Sequence, residues 1–544
     1  MKIFQPKLFS VLKEMNSKQI ISDIVAGIIV AIIALPLSIA LAIASGVSPE
    51  KGLYTAIVAG VVISFFGGSR VNISGPTAAF ATIVAGIVAL NGVNGLIIAT
   101  IMAGIMLVVM GLCKFGSLIK FIPQTITTGF TSGIALTIII GQLKDFFGLT
   151  FPEGTHAVET MEKLTAVAKS FSTVNISAVI VGLVALIILI VWPKISKKIP
   201  GSLIAVIVGV LIVKLFNIPV NTIGDLYTIS NNPPVFAIPE VNLTLIRQLI
   251  PSAFTIAILA AIESLLSCVV SDGMIKDKHN SNTELIAQGL GNICSGFFGG
   301  IPATGAIART AANVKNGGRT PLAGIVHAIV LLLILVVLMP YAAWIPMPVI
   351  AAILFMVAYN MCEWRHFVKI CRTAPKSDIL VLVVTFVLTV VFDLVVAIEF
   401  GLLLALILFM KRMTDVTKVR SWIKGEEDDD RLKNIPANTQ VYEFDGPLFF
   451  ATSDKLSEIP VSEGVKVVII RMRNIPSLDI SALNILQDVY NSFKENGIIV
   501  IFSHTNRQPL SVMKKAGFIK LVGEEYFVNN IDEALLHASK ITEQ

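Results

Sequence analysis

The chain has 544 residues, 55% of them hydrophobic and only 14% charged, with a mean hydropathy of +0.82. A soluble domain of this length cannot hide so much apolar surface, so the composition excludes one and points to a polytopic membrane protein. The net charge of +6 does not imply a nucleic-acid partner, because the basic residues gather in short loops between apolar runs, as they do where charge sets membrane orientation.

Lysines precede Ile20, but no small-residue cleavage site follows, so Ile20 to Ala44 is expected to be a retained first helix rather than a signal peptide. Further apolar runs of about 20 residues, enough to cross a bilayer, begin near Tyr54, Gly95, Ile126, Val174, Leu203, Phe254, Leu285, Pro321, Val349, Ile379 and Val395. Phe65-Phe66-Gly67-Gly68 returns as Phe297-Phe298-Gly299-Gly300, and each copy leads into a Gly- and Pro-broken stretch inside an apolar region. Counting those two short segments, about fourteen crossings or half-crossings are expected. Unpaired backbone at membrane depth is costly unless it lines a cavity, so broken segments in corresponding halves indicate a transporter's substrate site.

In the first broken segment Gly75-Pro76 interrupts the apolar pattern and Thr77 is expected to open a helix, with Pro76 in its first turn, where no N–H is needed. The unpaired N–H groups and the positive dipole end of such a helix favour an anion. The second segment, from Ala303, would run the opposite way, so the two amino-terminal ends could converge on one ligand. Arg309 stands two turns into that segment. An intramembrane cation costs about 2.5 to 3.5 kcal/mol on insertion scales, and anion binding is its default role. The alternative is that it snorkels to the interface, as Lys315 and Arg319 are expected to do.

Glu263 lies in the apolar stretch from Phe254 to Ser267. It could gain and lose a proton through a transport cycle, or, with Ser267 one helical turn on, offer oxygens to Na⁺. A structural hydrogen bond or a permanent ion pair with Arg309 would serve neither role. Thr125, Thr127, Thr128, Thr131 and Ser132 read as helix-packing residues, and His327 as a hydrogen-bonded packing residue. Asp393 and Glu399 flank the turn between the last two membrane helices. The cysteines Cys113, Cys268, Cys294, Cys362 and Cys371 show no metal or disulfide spacing, and no cofactor is indicated.

Lys114, Lys120, Lys194, Lys197, Lys198, Lys276, Lys278, Lys315, Arg319, Arg365, Lys369, Arg372 and Lys376 would share one side of the membrane. That side is expected to be cytoplasmic and to hold both termini, while the long loops from Phe151 to Ser172 and from Asn217 to Gln248 face outward. Hydrophobicity stops at Met410-Lys411-Arg412, and the acidic run Glu426-Glu427-Asp428-Asp429-Asp430 follows. The expected division is a transmembrane domain over 1–412, a linker over 413–436 and a soluble domain over 437–544. In the last, short β-rich runs such as Val441 to Phe444, Val465 to Met472 and Ile498 to Ser503 alternate with helical stretches, implying a small α/β fold.

Taken together, Asn72 to Thr77, Ile262 to Ser267 with Asp272-Gly273-Met274, Asn292 to Gly300 and Ala308 to Val314 resemble the SulP family of anion transporters over nearly the whole chain. The resemblance implies an all-α membrane domain of seven-plus-seven inverted repeats, divided into core and gate domains. It places substrate between the amino-terminal ends of the third and tenth segments. The matching positions here are Thr77 and the run Ala306, Ile307, Ala308 and Arg309, with Pro36 and Leu37 of the first helix closing the site. The carboxyl-terminal part resembles a STAS domain, with Ile475 to Leu483 at its signature loop. Ser481 falls where regulatory members carry a phosphorylatable hydroxyl, but Ile480 and Ala482 depart from their pattern, which favours a scaffold that mediates dimer contacts. The implied function is secondary active transport of a small inorganic or carboxylate anion across the inner (plasma) membrane by an elevator mechanism, coupled to H⁺ through Glu263. The alternatives are Na⁺-coupled bicarbonate transport and an uncoupled exchanger or channel. The partners expected with it are the coupling ion, membrane lipid and a second copy of the chain, with no nucleic acid and no enzymatic activity.

Overall fold

A computed structural model describes residues 4–12, 15–117, 123–152, 157, 159–196, 199–392, 394–423, 435–452, 454–457 and 459–543. Lys120, Lys197, Lys198, Asp393 and the acidic run from Glu426 to Asp430 lie outside the described residues. The chain divides into two units, Met1–Leu402 and Leu403–Gln544.

The first unit begins with a short helix α1 (Lys7–Val11), then α2 (Ser17–Ala44), α3 (Pro49–Phe66), a two-residue strand β1 (Ser74–Gly75), α4 (Ala81–Leu112) and α5 (Gln124–Phe147). There follow α6 (Thr160–Lys169), α7 (Ile176–Ile195), α8 (Gly201–Leu215), α9 (Ile223–Leu226), α10 (Leu243–Ile275) and α11 (Ser281–Phe297). A second two-residue strand, β2 (Thr304–Gly305), leads to α12 (Ile307–Lys315), α13 (Leu322–Leu338), α14 (Met347–Cys362), α15 (Trp364–Thr373), α16 (Lys376–Val391) and α17 (Leu394–Val416). Among the described residues, eight helical stretches are long and apolar enough to cross a bilayer, and α8 is apolar but shorter. Gly92, at φ 66° and ψ −174°, breaks α4 into two legs, a conformation that glycine adopts without a Cβ penalty.

With α4 counted as two legs, the apolar segments fall into matching sets: α2, α3, the legs of α4, α5, α7 and α8, then α10 to α14, α16 and α17. In each set the second helix ends at a Phe-Phe-Gly-Gly copy and the third follows a two-residue strand. The strands meet antiparallel, Ser74 opposite Gly305 and Gly75 opposite Thr304, so the two broken segments run against one another. Small residues bring the helices behind them close together. A Cβ on Gly104 of α4 would stand 2.6 Å from the Gly289 carbonyl of α11, and one on Gly289 would stand 2.5 Å from the Gly104 carbonyl. Only glycine allows backbones to approach so nearly.

The first tetrapeptide copy is also clasped by α1. Phe4 and Phe9 contact Phe66 and Phe65, the Lys7 amide donates to the Gly67 carbonyl (2.9 Å), and Asp277 pairs with Lys7 (3.1 Å) and Arg70 (2.9 Å). Partial burial pushes the Asp277 carboxyl up, but the Lys278 amide and these two cations outweigh it and hold the group below its ordinary value. In α5, Ser132 donates to the Cys362 carbonyl of α14, while Thr127 and Thr131 bond their own helix.

The second unit is a five-stranded sheet in the order β3 (Lys418–Trp422), β4 (Thr439–Asp445), β5 (Val467–Arg471), β6 (Ile499–Ser503), β7 (Phe527–Val528). The pair β3–β4 is antiparallel and the others are parallel. Helices α18 (Asp454–Ser457), α19 (Ile480–Glu495), α20 (Arg507–Lys515), α21 (Phe518–Val522) and α22 (Ile531–Thr542) complete it. Strand β5 is buried on both faces: Val468 and Ile470 join one apolar cluster, Val467 and Ile469 the other, as in a covered parallel sheet. The stretch 413–436, expected as linker, holds the end of α17 and all of β3. Trp422 anchors that strand by packing into the cluster with Val441 and Ile531, a burial that its polar neighbours conceal in the sequence. Ser481 is exposed in the first turn of α19, whose N-cap is Asp479, accepting from the Ala482 amide at 2.8 Å.

Candidate functional site

The antiparallel contact of β1 and β2 forms a crossing in the first unit, and most of the sequence-predicted site residues sit on or beside it. Ser74 and Gly75 pair with the second broken segment and Thr77 is extended too, which corrects the expected helix start. Pro76 lies outside the helix, and Thr77 is the N-cap of a 3-10 turn (Ala78–Phe80) that feeds α4. The Thr77 hydroxyl does not cap its own helix but donates to Glu263 Oε2 of α10 at 3.0 Å. Opposite it, Ala306 is the N-cap of α12, with its amide bonded to the Ile73 carbonyl at 2.8 Å.

Helix α12 begins only at Ile307, so Arg309 stands in its first turn rather than two turns in. Its side chain is 2% exposed and does not reach an interface, which disposes of snorkelling. One guanidinium nitrogen, Nη2, donates to the Pro76 carbonyl across the crossing. Nε and Nη1 have no hydrogen-bond partner among the described residues. No ion pair joins Arg309 to Glu263 among them either. A cation in the first turn of a helix is opposed by the dipole, and no ion pair among the described residues offsets it.

Ser267, expected beside Glu263, is turned elsewhere. Its hydroxyl forms a buried triangle with Asn72 Oδ1 (2.8 Å) and Thr310 Oγ1 (3.1 Å), and Thr310 also reaches Asn72 (3.0 Å). Ser264 instead supports the second strand: its hydroxyl accepts from the Gly305 amide (3.0 Å) and lies 2.8 Å from Thr304 Oγ1. Pro36 is buried within α2 and Leu37 is half-buried, on a helix that packs against α12; Ile307 and Ala308 are exposed. His327 of α13 is fully buried, and against expectation neither ring nitrogen has a hydrogen-bond partner among the described residues. It faces Gly60, whose missing Cβ would lie 3.9 Å from Nδ1, so the ring is held by packing instead.

The polar stripe of α11 is the part of this region that sequence reasoning missed. Glu284, Gln288 and Asn292 recur every four residues on one face, and all three hydrogen-bond to the broken segments. That spacing in an otherwise apolar helix was the available clue. The tightness of the crossing yields a prediction. A Cβ at Gly305 would meet Asn72 Nδ2 at 2.6 Å and the Ser264 backbone at 3.1 Å. Asn72 is held by three partners, so Gly305→Ala should cost about 1 to 3 kcal/mol by overpacking, read as a lowered Tm of the purified protein.

Comparison with known proteins places this geometry. Residues 20–385 match the Sulfate permease family and residues 432–534 the STAS domain. YvdB of Bacillus subtilis (strain 168), a protein named for sulfate transport, is 39% identical over 96% of this chain and 98% of its own. The transmembrane domain of a cyanobacterium bicarbonate transporter, BicA, superposes with a TM-score of 0.64 at 31% identity, covering 71% of this chain and 98% of that one. The fold of both units is also that of the murine anion transporter Slc26a9, with a TM-score of 0.89 at 19% identity over 98% of this chain and 94% of that one. The chain is therefore a multi-pass membrane protein of the sulfate permease (SulP) family of anion transporters, with a carboxyl-terminal STAS domain.

Proposed function

We propose that this protein is a secondary active carrier that takes a small oxyanion or dicarboxylate across the inner (plasma) membrane together with protons, both termini being cytoplasmic. The observation that carries the reading is Arg309: buried, in the first turn of α12, with two guanidinium nitrogens unpartnered among the described residues. An anion between the start of α12 and the Thr77 end of the facing segment would satisfy the cation and both helix ends. Thr77, Ala306, Ile307, Ala308 and Arg309 line that position, backed by Gly75 and Pro76, and Pro36 and Leu37 of α2 close it.

Glu263 supplies the coupling. Its carboxyl reaches Thr77, the N-cap on which the anion would rest, so a negative charge there opposes the anion and a proton removes the opposition. Proton and anion then favour each other's binding by the same factor, which is the thermodynamic content of symport. The strands of both repeats are bonded to each other at the crossing, which suits an elevator-like shift of the domain that carries it.

Sulfate is the first candidate substrate, since YvdB is named for it. Bicarbonate is the second candidate, favoured by the likeness to the bicarbonate transporter BicA, and Na⁺ is the alternative coupling ion. Uptake of labelled sulfate, bicarbonate and succinate into proteoliposomes, each with an inward pH gradient and then an inward Na⁺ gradient, decides between them. Saturable uptake driven by acid is the expected result. Uptake driven by Na⁺ alone would replace the proton assignment at Glu263 with a cation site, and no response to either gradient would make the protein an exchanger or channel.

A further inference from the structure

Behind the anion position lies a buried carboxylate that neither binding nor coupling uses. Glu284 of α11 is 1% exposed and accepts four hydrogen bonds from nitrogen. The Gly68 and Ser69 amides reach Oε2 at 2.9 and 3.1 Å, and Asn72 Nδ2 and Gln288 Nε2 reach Oε1 at 2.7 and 3.0 Å. No ion pair joins it to a basic residue among the described residues. Four donors converging on two oxygens suit a group that only accepts, which is what a carboxylate offers.

The bonds run outward from Glu284 to both repeats. Asn72, oriented by Glu284, turns Oδ1 towards Ser267 of α10 and Thr310 of α12, one residue beyond Arg309. Thr310 in turn accepts from the Ile73 amide at 3.0 Å. Gln288, held by Glu284, donates to Ser74 Oγ in β1 at 3.0 Å. The second repeat has a lighter counterpart, in which Thr55 of α3 accepts from the Ile301 amide at 2.7 Å.

We propose that Glu284 is a positioning residue that fixes the distance between Thr77 and Arg309, and with it anion affinity, by fastening the turn after α3 and, through Asn72, the start of α12. The part that concerns affinity rests on the reading of the crossing as the anion site.

The pattern of donors and acceptors makes the test specific. In Glu284→Gln the amide NH₂ must face either the Gly68 and Ser69 amides or Asn72 Nδ2, and turning Asn72 over would take from the Ser267 and Thr310 hydroxyls the oxygen they share. Either a donor is set against a donor or two hydroxyls lose their acceptor. Adding Asn72→Asp restores the match: the new carboxylate accepts from the introduced amide NH₂ and still accepts from Ser267 and Thr310. Gln288 turns its Oε1, unpartnered among the described residues, inward to accept from that same NH₂ and from the Ser74 hydroxyl.

Full-length wild type, E284Q and the pair E284Q/N72D would be compared by amide hydrogen exchange over 68–77 and 304–310, and by uptake of sulfate, bicarbonate and succinate in proteoliposomes. We expect E284Q to speed exchange in both segments and raise KM for the transported anion, each roughly tenfold, and the pair to return both towards wild type. Wild-type exchange in E284Q, or a pair as disturbed as E284Q, or failure of both to fold, would overturn the proposal. Restored exchange in the pair with KM unchanged throughout would support the positioning role and overturn the crossing as the anion site. A fold lost in E284Q and regained in the pair would support the proposal.

Discussion

Replacing Arg309 by alanine is expected to reduce the affinity for a divalent anion by about a hundredfold or more. Removing one partner of a buried charged pair typically costs about 3 to 5 kcal/mol, and about 1.4 kcal/mol is a factor of ten. Among the described residues the guanidinium has only the Pro76 carbonyl as a protein partner, so its interaction with the anion is not shared with a carboxylate. A divalent anion should suffer more than a monovalent one, because the lost term scales with charge. Arg309→Lys should fall between, keeping the charge while losing the planar fork that reaches Pro76 and leaves two nitrogens for the ligand. Thermal unfolding of the purified protein with and without sulfate reads the effect: ligand should raise Tm in wild type and leave R309A unmoved. Equal stabilisation of both would place the arginine outside the site.

Glu263→Gln should abolish accumulation against a gradient while leaving binding and downhill exchange. Glutamine keeps an oxygen for the Thr77 hydroxyl, 3.0 Å away in the wild type, and carries no charge, so it imitates the protonated carboxyl at every pH. An inward gradient of about two pH units supplies about 2.7 kcal/mol per proton, enough for roughly hundredfold accumulation of a singly coupled solute. The variant should show none of it, and its anion affinity should lose its dependence on pH. Proteoliposome uptake with the gradient applied and then collapsed gives both numbers. Unchanged acid-driven accumulation would remove Glu263 from the coupling mechanism.

The parts of this molecule that the sequence reveals are those with a local cause. The tetrapeptide repeat marks where α3 and α11 end, Gly75-Pro76 breaks the first segment, and a solitary arginine in apolar surroundings locates the crossing. The details that escaped depend on long-range pairing. Pro76 reads as a first-turn proline, but it follows directly on Ser74 and Gly75, whose strand partners lie more than two hundred positions away, and its carbonyl accepts from Arg309. Ser267 reads as a neighbour of Glu263 one helical turn on, yet Asn72 and Thr310 claim its hydroxyl. β3 hides in a polar stretch because this edge strand is held by only two apolar side chains, Trp422 on one face and Val419 on the other.

The two-residue strands also fix how long their loops can be. Ser74 faces Gly305 and Gly75 faces Thr304, and neighbouring residues on a strand point to opposite sides. Inserting or deleting one residue between Gly68 and Ser74, or between Gly300 and Thr304, would slide one segment past the other. An insertion in the first connection would present Ser74 where Gly75 allows Arg309 to come close, since a Cβ on Gly75 would lie 2.5 Å from Nη1, and a deletion would present Pro76 there. Side chains around the crossing can therefore change with substrate, but the number of residues in these two short connections cannot.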